Sequence, residues 1–156
     1  MAKQSVRIPV PQFIPRYRIT LVSEGGHTAP YGVLRDSAAA AAALRPYFAG
    51  LDREQFLVCS LDARNAAIGV NIVSIGSLTL SIVHPREVFK SAILMNACAI
   101  IAVHNHPSGD PNPSPEDRTL TTRLREAGDL LGIKLLDHLI LGDDRLYSFA
   151  DQGWPL

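Results

Sequence analysis

With 156 residues, 47% hydrophobic and 19% charged, the chain has the composition of one globular domain with a real core, not of a disordered segment. Fifteen basic residues balance fifteen acidic ones, so no net field draws the protein to nucleic acid or an anionic membrane. Cys59 and Cys98 alone exclude a disulfide framework and a Cys-rich zinc site; both lie in apolar runs and are expected as buried thiols. No stretch is apolar enough for a membrane span, and the N-terminus lacks the apolar centre of a signal peptide. The expected location is cytoplasmic, without membrane contact.

Pro9, Pro11 and Pro15 mark residues 1–16 as an extended arm. Lys3, Arg7, Arg16 and Arg18 make it basic, with no acid before residue 19. "YRITLVSE" (17–24) alternates in a β-rich pattern and is predicted as a first strand. The division expected is this arm with its strand, 1–28, followed by a domain over 29–156. Asp36 or Ser37 caps a predicted helix in which the run Ala38–Ala43 is filler, ended or kinked by Pro46. "EQFLVCSLDARNAAIGVNIVSIG" reads as two strands around the turn "DARN", and "SLTLSIV" as a further short strand. "HPREVFKSAILMNA" opens a helix with Pro in its first turn and Val88, Ile93, Leu94 and Ala97 as its apolar face. "ACAIIAVH" is continuously apolar and reads as a central strand buried on both faces. Ser114 caps a last helix that Gly132 stops, and "IKLLDHLILG" and "RLYSF" complete the strands.

A polar, turn-rich stretch, "HNHPSGDPNPSPED" (104–117), follows the most apolar strand directly. His104 and His106 are two apart, so in a strand their side chains share a face with Cα atoms roughly 6–7 Å apart. Two imidazoles at that spacing can converge on one zinc ion, which takes three protein ligands at a catalytic site. Asp117, at the start of the next helix, is the candidate third. Pro107, Gly109, Pro111 and Pro113 set the path of the loop between them. Singly, a His-x-His pair is common by chance, Ser114 is a helix cap and Asp117 a favourable first-turn charge. Their joint spacing carries the case. Either Asp137 or His138, neighbours facing opposite sides of one strand, can support the site from behind.

His104-x-His106-x7-Ser114-x2-Asp117 matches the JAMM motif of the JAB/MPN metalloprotease superfamily. The run from Val83 to Asp143 resembles the bacterial RadC-like branch, and the likeness extends from about residue 54 to 154, more weakly back to about 30. The resemblance implies an α/β fold: three α/β/α layers on a mixed, curved sheet, the cytidine-deaminase-like architecture. It implies one Zn2+ on His104, His106 and Asp117, with water as the fourth ligand. It implies that Ser114 stabilises the oxyanion and that an upstream Glu is the general base: Glu54, which precedes a strand, or the rival Glu87. Zinc lowers the pKa of bound water toward ~7, and a carboxylate carries the proton to a leaving amine; such chemistry cleaves peptide or isopeptide bonds.

The likeness is incomplete at the N-terminus. Full-length RadC-like proteins resemble a two-part design with a DNA-contacting helix-hairpin-helix module, for which no glycine signature occurs in residues 1–35. The alternative to a hydrolase is a metal-stabilised scaffold or a binding module associated with DNA repair; salt-dependent DNA binding would mark it. A deaminase is disfavoured, since no Pro-Cys-x-x-Cys accompanies the histidines. The expected partners are a peptide or protein substrate, DNA only through the basic arm, and a second copy, paired through the arm or a free sheet edge.

Overall fold

A computed structural model describes residues 12–29, 32–76 and 83–154. The proposed strand "SLTLSIV" lies almost wholly outside the described residues, as do Lys3, Arg7 and Pro9 of the arm.

Five strands form one mixed sheet with three helices around it. In chain order they are α1 (Ser37–Leu44), a 3-10 turn (Arg45–Phe48), β1 (Gln55–Leu61), β2 (Ala67–Ile75), α2 (Pro85–Leu94), β3 (Ala99–Asn105), α3 (Pro115–Leu131), β4 (Lys134–Leu141) and β5 (Leu146–Ser148). The strand order is β2-β1-β3-β4-β5. Only the β3–β4 pair is parallel, with α3 as its crossover. The "DARN" turn joins β1 to β2 as an antiparallel hairpin, with Asp62 accepting from the amides of Arg64 and Ala66.

Residue parity divides the core into two layers. Leu57, Cys59, Leu61, Ile101 and Val103 pack with α1 and Phe48 on one face. Phe56, Val58, Ile100 and Ala102 pack with Val88, Phe89 and Leu124 of α2 and α3 on the other. The sheet is thus the middle of three layers, and every residue of β1 and β3 is buried. The even positions of β3 point to the α2/α3 side, and that parity carries His104 to the same side.

The helix ends follow from local chemistry. Asp36 caps α1 by accepting from the Ala39 amide at 2.7 Å. Pro46 cannot donate to an i−4 carbonyl, and the chain tightens into the 3-10 turn. The alanines are more than filler: Ala40, Ala41 and Ala43 are buried against the sheet, where small side chains permit close approach. Gly132, in the left-handed region at φ 72°, ends α3.

Three expectations are corrected. Residues 17–24 form no strand: they are exposed and lie outside the sheet, and the alternating pattern pairs with no described strand. The α2 face that meets the core is Val88, Phe89 and Ala92, with Ile93 facing solvent, since positions 88, 89 and 92 share the helix side lying on β1. Cys98 is exposed, in the turn before β3; only Cys59 is buried.

Candidate metal centre

Strand parity and a helix cap bring His104, His106 and Asp117 together. His104 Nε2 lies 3.1 Å from His106 Nε2 and 3.2 Å from Asp117 Oδ1, and His106 Nε2 lies 3.5 Å from Asp117 Oδ2. Among the described residues this is the group of His, Cys, Asp and Glu side chains close enough to share an ion. His104 is buried under Phe56, whose ring stacks on it at 5.9 Å, while His106 and Asp117 border the opening.

The path from His106 to Asp117 is fixed at several points. The His106 amide donates to Leu141 O, and the Gly109 amide to His106 O. Gly109 sits at φ 83°, and a Cβ there would strike the Asp143 carboxylate; a Cβ on Gly142 would strike Gly109 O. Only two glycines let the loop lie so close to the β4–β5 turn. Arg45 then ties that turn to the body by donating to Gly142 O and Asp143 O, both at 2.8 Å.

Asp117 is held by the start of its own helix. Its Oδ2 accepts from the Ser114 amide at 2.7 Å and the Ser114 hydroxyl at 2.8 Å, while Ser114 Oγ accepts from the Asp117 amide at 3.1 Å. This is a capping box closed by aspartate. Oδ2 is spent on the cap, and Oδ1 faces His104.

Hydrogen-bond logic settles where the imidazole protons lie. The Thr121 hydroxyl donates to Asp117 O at 2.6 Å, so at 2.6 Å from His138 Nδ1 it must accept. His138 therefore carries its proton on Nδ1, and its bare Nε2 accepts from His104 Nδ1–H at 2.8 Å. That leaves His104 Nε2 bare. His106 Nδ1–H donates to Asp110 O at 2.8 Å, which bares His106 Nε2 as well. With both rings neutral, two nitrogen lone pairs and one carboxylate oxygen face one another, a cluster that a bound cation would complete.

Ligand atoms about 2.0–2.1 Å from a tetrahedral zinc lie about 3.3 Å from one another. The observed 3.1 Å between the two imidazole nitrogens and 3.2 Å from His104 Nε2 to Asp117 Oδ1 lie close to that edge, and two imidazoles with one carboxylate are an ordinary donor set for the ion. The electrostatics agree. Burial works to raise the Asp117 carboxyl, but His104 and His106 outweigh it and hold it far below the usual range. Bonding to Asp117 raises the His106 pKa. Burial, helped by the neighbouring His104, keeps His138 neutral well below the ordinary imidazole value.

The two glutamates part company. Phe56 pairs with His104 across β1 and β3, so Glu54, two residues before Phe56, and His106, two after His104, leave the sheet at the same end. Glu54 is half-buried there and acts on the His106 charge. Asn105 brackets it: the Gln55 amide donates to Asn105 Oδ1 at 2.7 Å, and Asn105 Nδ2 donates to Arg53 O at 3.1 Å. Glu87 instead lies on the surface of α2, accepting from Lys90 at 2.7 Å. Of the neighbours Asp137 and His138, it is His138 that reaches the site. Asp137 accepts from Ser148 Oγ, the Ala150 amide and the His138 amide and fastens the end of the sheet. Asn105 and Thr121 were not singled out in the sequence; their position beside the His pair and one turn after Asp117 was the available signal.

A RadC-like JAB domain model matches residues 34–154. The chain is 54% identical over 103 residues to a UPF0758 protein of Desulfitobacterium hafniense, covering 66% of this chain and 45% of that protein. It is 57% identical over 104 residues to one of Caldanaerobacter subterraneus (67% and 45%) and 54% identical over 110 residues to one of Symbiobacterium thermophilum (70% and 47%). It therefore spans about half the length of these curated relatives. No helix among the described residues is long and apolar enough to cross a membrane.

Proposed function

Because the chain belongs to the RadC-like JAB domain family, we propose that it is a zinc-dependent hydrolase of the JAMM type acting on a peptide or isopeptide bond. The observation that supports this reading is the convergence of His104 Nε2, His106 Nε2 and Asp117 Oδ1 with their protons turned away. When bound, zinc supplies a Lewis acid that makes water a nucleophile near neutral pH and polarises a carbonyl.

The protein's own groups do the rest. The Glu54 carboxylate, at the same end of the sheet as His106, accepts a proton from the attacking water and returns it to the departing amine nitrogen. Asn105 holds the peptides on both sides of Glu54 and so sets the position of that carboxylate. Ser114 releases Asp117 Oδ2 and turns its hydroxyl to the developing oxyanion. The Ser114 amide, 2.7 Å from Oδ2, keeps Asp117 in place when it does.

The test is metal content of untagged, chelator-free protein, followed by hydrolysis of peptide and isopeptide probes. About one zinc per chain is expected, lost in His104→Ala/His106→Ala and retained in Glu54→Gln, with hydrolysis lost in both. Wild-type protein that takes up no zinc on reconstitution would sink the reading. Zinc uptake with equal hydrolysis by wild type and Glu54→Gln would remove Glu54 from its role.

A further inference from the structure

A cleft of about 580 Å³ lies beside the metal centre, on the α1 side of the sheet. Its floor is Leu141 and Phe48, both from the core layer under α1. One wall runs from Ala42 on α1 through the 3-10 turn to Leu51; the other is Asn105, His106 and Pro107. The cleft thus stands at the carboxyl ends of the parallel strands β3 and β4, where α/β sheets leave their binding crevices.

Cleft and metal centre are continuous. His106 belongs to both, and its amide donates to Leu141 O at 2.9 Å, so the apolar floor is hydrogen-bonded to a ligand residue. The first wall ends at Leu51, shortly before Glu54 in the chain. Consecutive Cα atoms are about 3.8 Å apart, so a peptide whose carbonyl is held beside His106 presents a flanking side chain to this cleft.

The lining decides what enters. Its polar side chains are already engaged. Asn105 accepts from the Gln55 amide and donates to Arg53 O. Arg45 turns Nη1 to Gly142 O and Asp143 O and Nη2 to Arg145 O. His106 directs Nδ1–H to Asp110 O. Arg45 and Asp143 carry opposite charges, so neither sign of ligand is favoured. What an occupant meets is mainly carbon, from Pro46, Ala49, Leu51 and Pro107 above the floor. A charged side chain would lose water there and find no partner.

We propose that this cleft receives a large apolar side chain, of leucine or phenylalanine size, from a substrate residue flanking the scissile bond. It deepens the hydrolase reading and rests on it, but binding in the cleft needs neither zinc nor turnover.

Blocked tripeptides, acetyl-glycyl-Xaa-glycinamide, are titrated into the metal-free full chain, so that no probe is cut. Binding is followed by the NMR shifts of the Ala49, Gly50 and Gly142 amides, which lie in the cleft. Each buried methylene is worth about fourfold in affinity, so the leucine probe should bind at least roughly tenfold more tightly than alanine. Glutamate and lysine probes should do no better than alanine. Ala49 and Ala42 are exposed on the walls, so Ala49→Phe and Ala42→Phe should fill the cleft without changing far-UV circular dichroism or zinc content. Each should weaken leucine binding about tenfold. In the zinc-loaded protein, Ala49→Phe should lower kcat/KM for the leucine probe and leave that for alanine nearly unchanged. Leucine binding no tighter than alanine, or unaffected by both substitutions, overturns the proposal while zinc uptake and hydrolysis stand. A preference for glutamate or lysine overturns it too. Leucine selectivity in a protein that takes up no zinc would sink the hydrolase reading alone and leave a peptide-binding cleft.

Discussion

Replacing His138 by phenylalanine separates shape from hydrogen bonding at the centre of the site. His138 is wholly buried, stacked on Phe149 at 5.2 Å and tilted against Phe56 at 5.4 Å, so another aromatic ring fits among the same neighbours. The acceptor 2.8 Å from His104 Nδ1 is lost, however. Without metal, His104 can move its proton to Nε2 and donate to Asp117 Oδ1. Zinc then forces the proton back to Nδ1, where no partner remains. A buried donor left alone costs about 1–3 kcal/mol, and each 1.4 kcal/mol is tenfold, so zinc affinity should fall roughly 5- to 150-fold. Glutamine can accept from His104 and donate to Thr121, so His138→Gln should recover most of the loss. The assay is competition with a chromophoric chelator, with thermal unfolding of the metal-free proteins as the check on folding. His138→Phe within about threefold of wild type, or Gln as weak as Phe, would refute the proton assignment.

Three further outcomes are expected. A thiol reagent at pH 8 should label Cys98 rapidly and leave Cys59 untouched until denaturant is added, because burial pushes the Cys59 thiol up to about 12 while Cys98 is exposed. Acid should weaken the metal-free fold through His138. Its folded pKa lies below the unfolded 6.5, so its contribution is full above 6.5 and is lost as pH falls. Between pH 7 and 5.5 this is about 1 kcal/mol, and urea unfolding of His138→Gln should lack that increment. Asn105→Ala should lower stability by about 1–3 kcal/mol, since the Gln55 amide and Arg53 carbonyl lose their partner. It should reduce turnover more than zinc content, read on the same preparation, because Asn105 holds the peptides around Glu54 and not the three ligand side chains.

What could be read in the sequence was local. The His104–His106 spacing, the Ser114 cap, Gly132, the "DARN" hairpin and the buried run before His104 each express their structure within a few residues, and all appear where local chemistry puts them. What stayed hidden depends on distant partners. Thr121 meets His138 seventeen positions away, and Asn105 meets Gln55 fifty away. No periodicity announces such meetings; the sheet register makes them. The same reason explains the misreadings. Residues 17–24 have a strand's alternation but pair with none of the described strands, and alternation alone forms no sheet. Cys98 lies in an apolar stretch, yet the turn before β3 lifts it out of the core.

The capping box of α3 has a thermodynamic consequence. One oxygen of Asp117 closes the first turn of the helix while the other faces His104. Nucleating α3 and assembling the three-residue cluster are therefore a single event, joined through one carboxylate. Linkage then runs both ways: a cation that binds the cluster stabilises the helix start by the same free energy with which an intact helix start favours the cation. The slowest-exchanging amides near the site should be those of Ser114 and Asp117, with their protection rising and falling with ion occupancy, so that a helix end becomes the gauge of how full the site is.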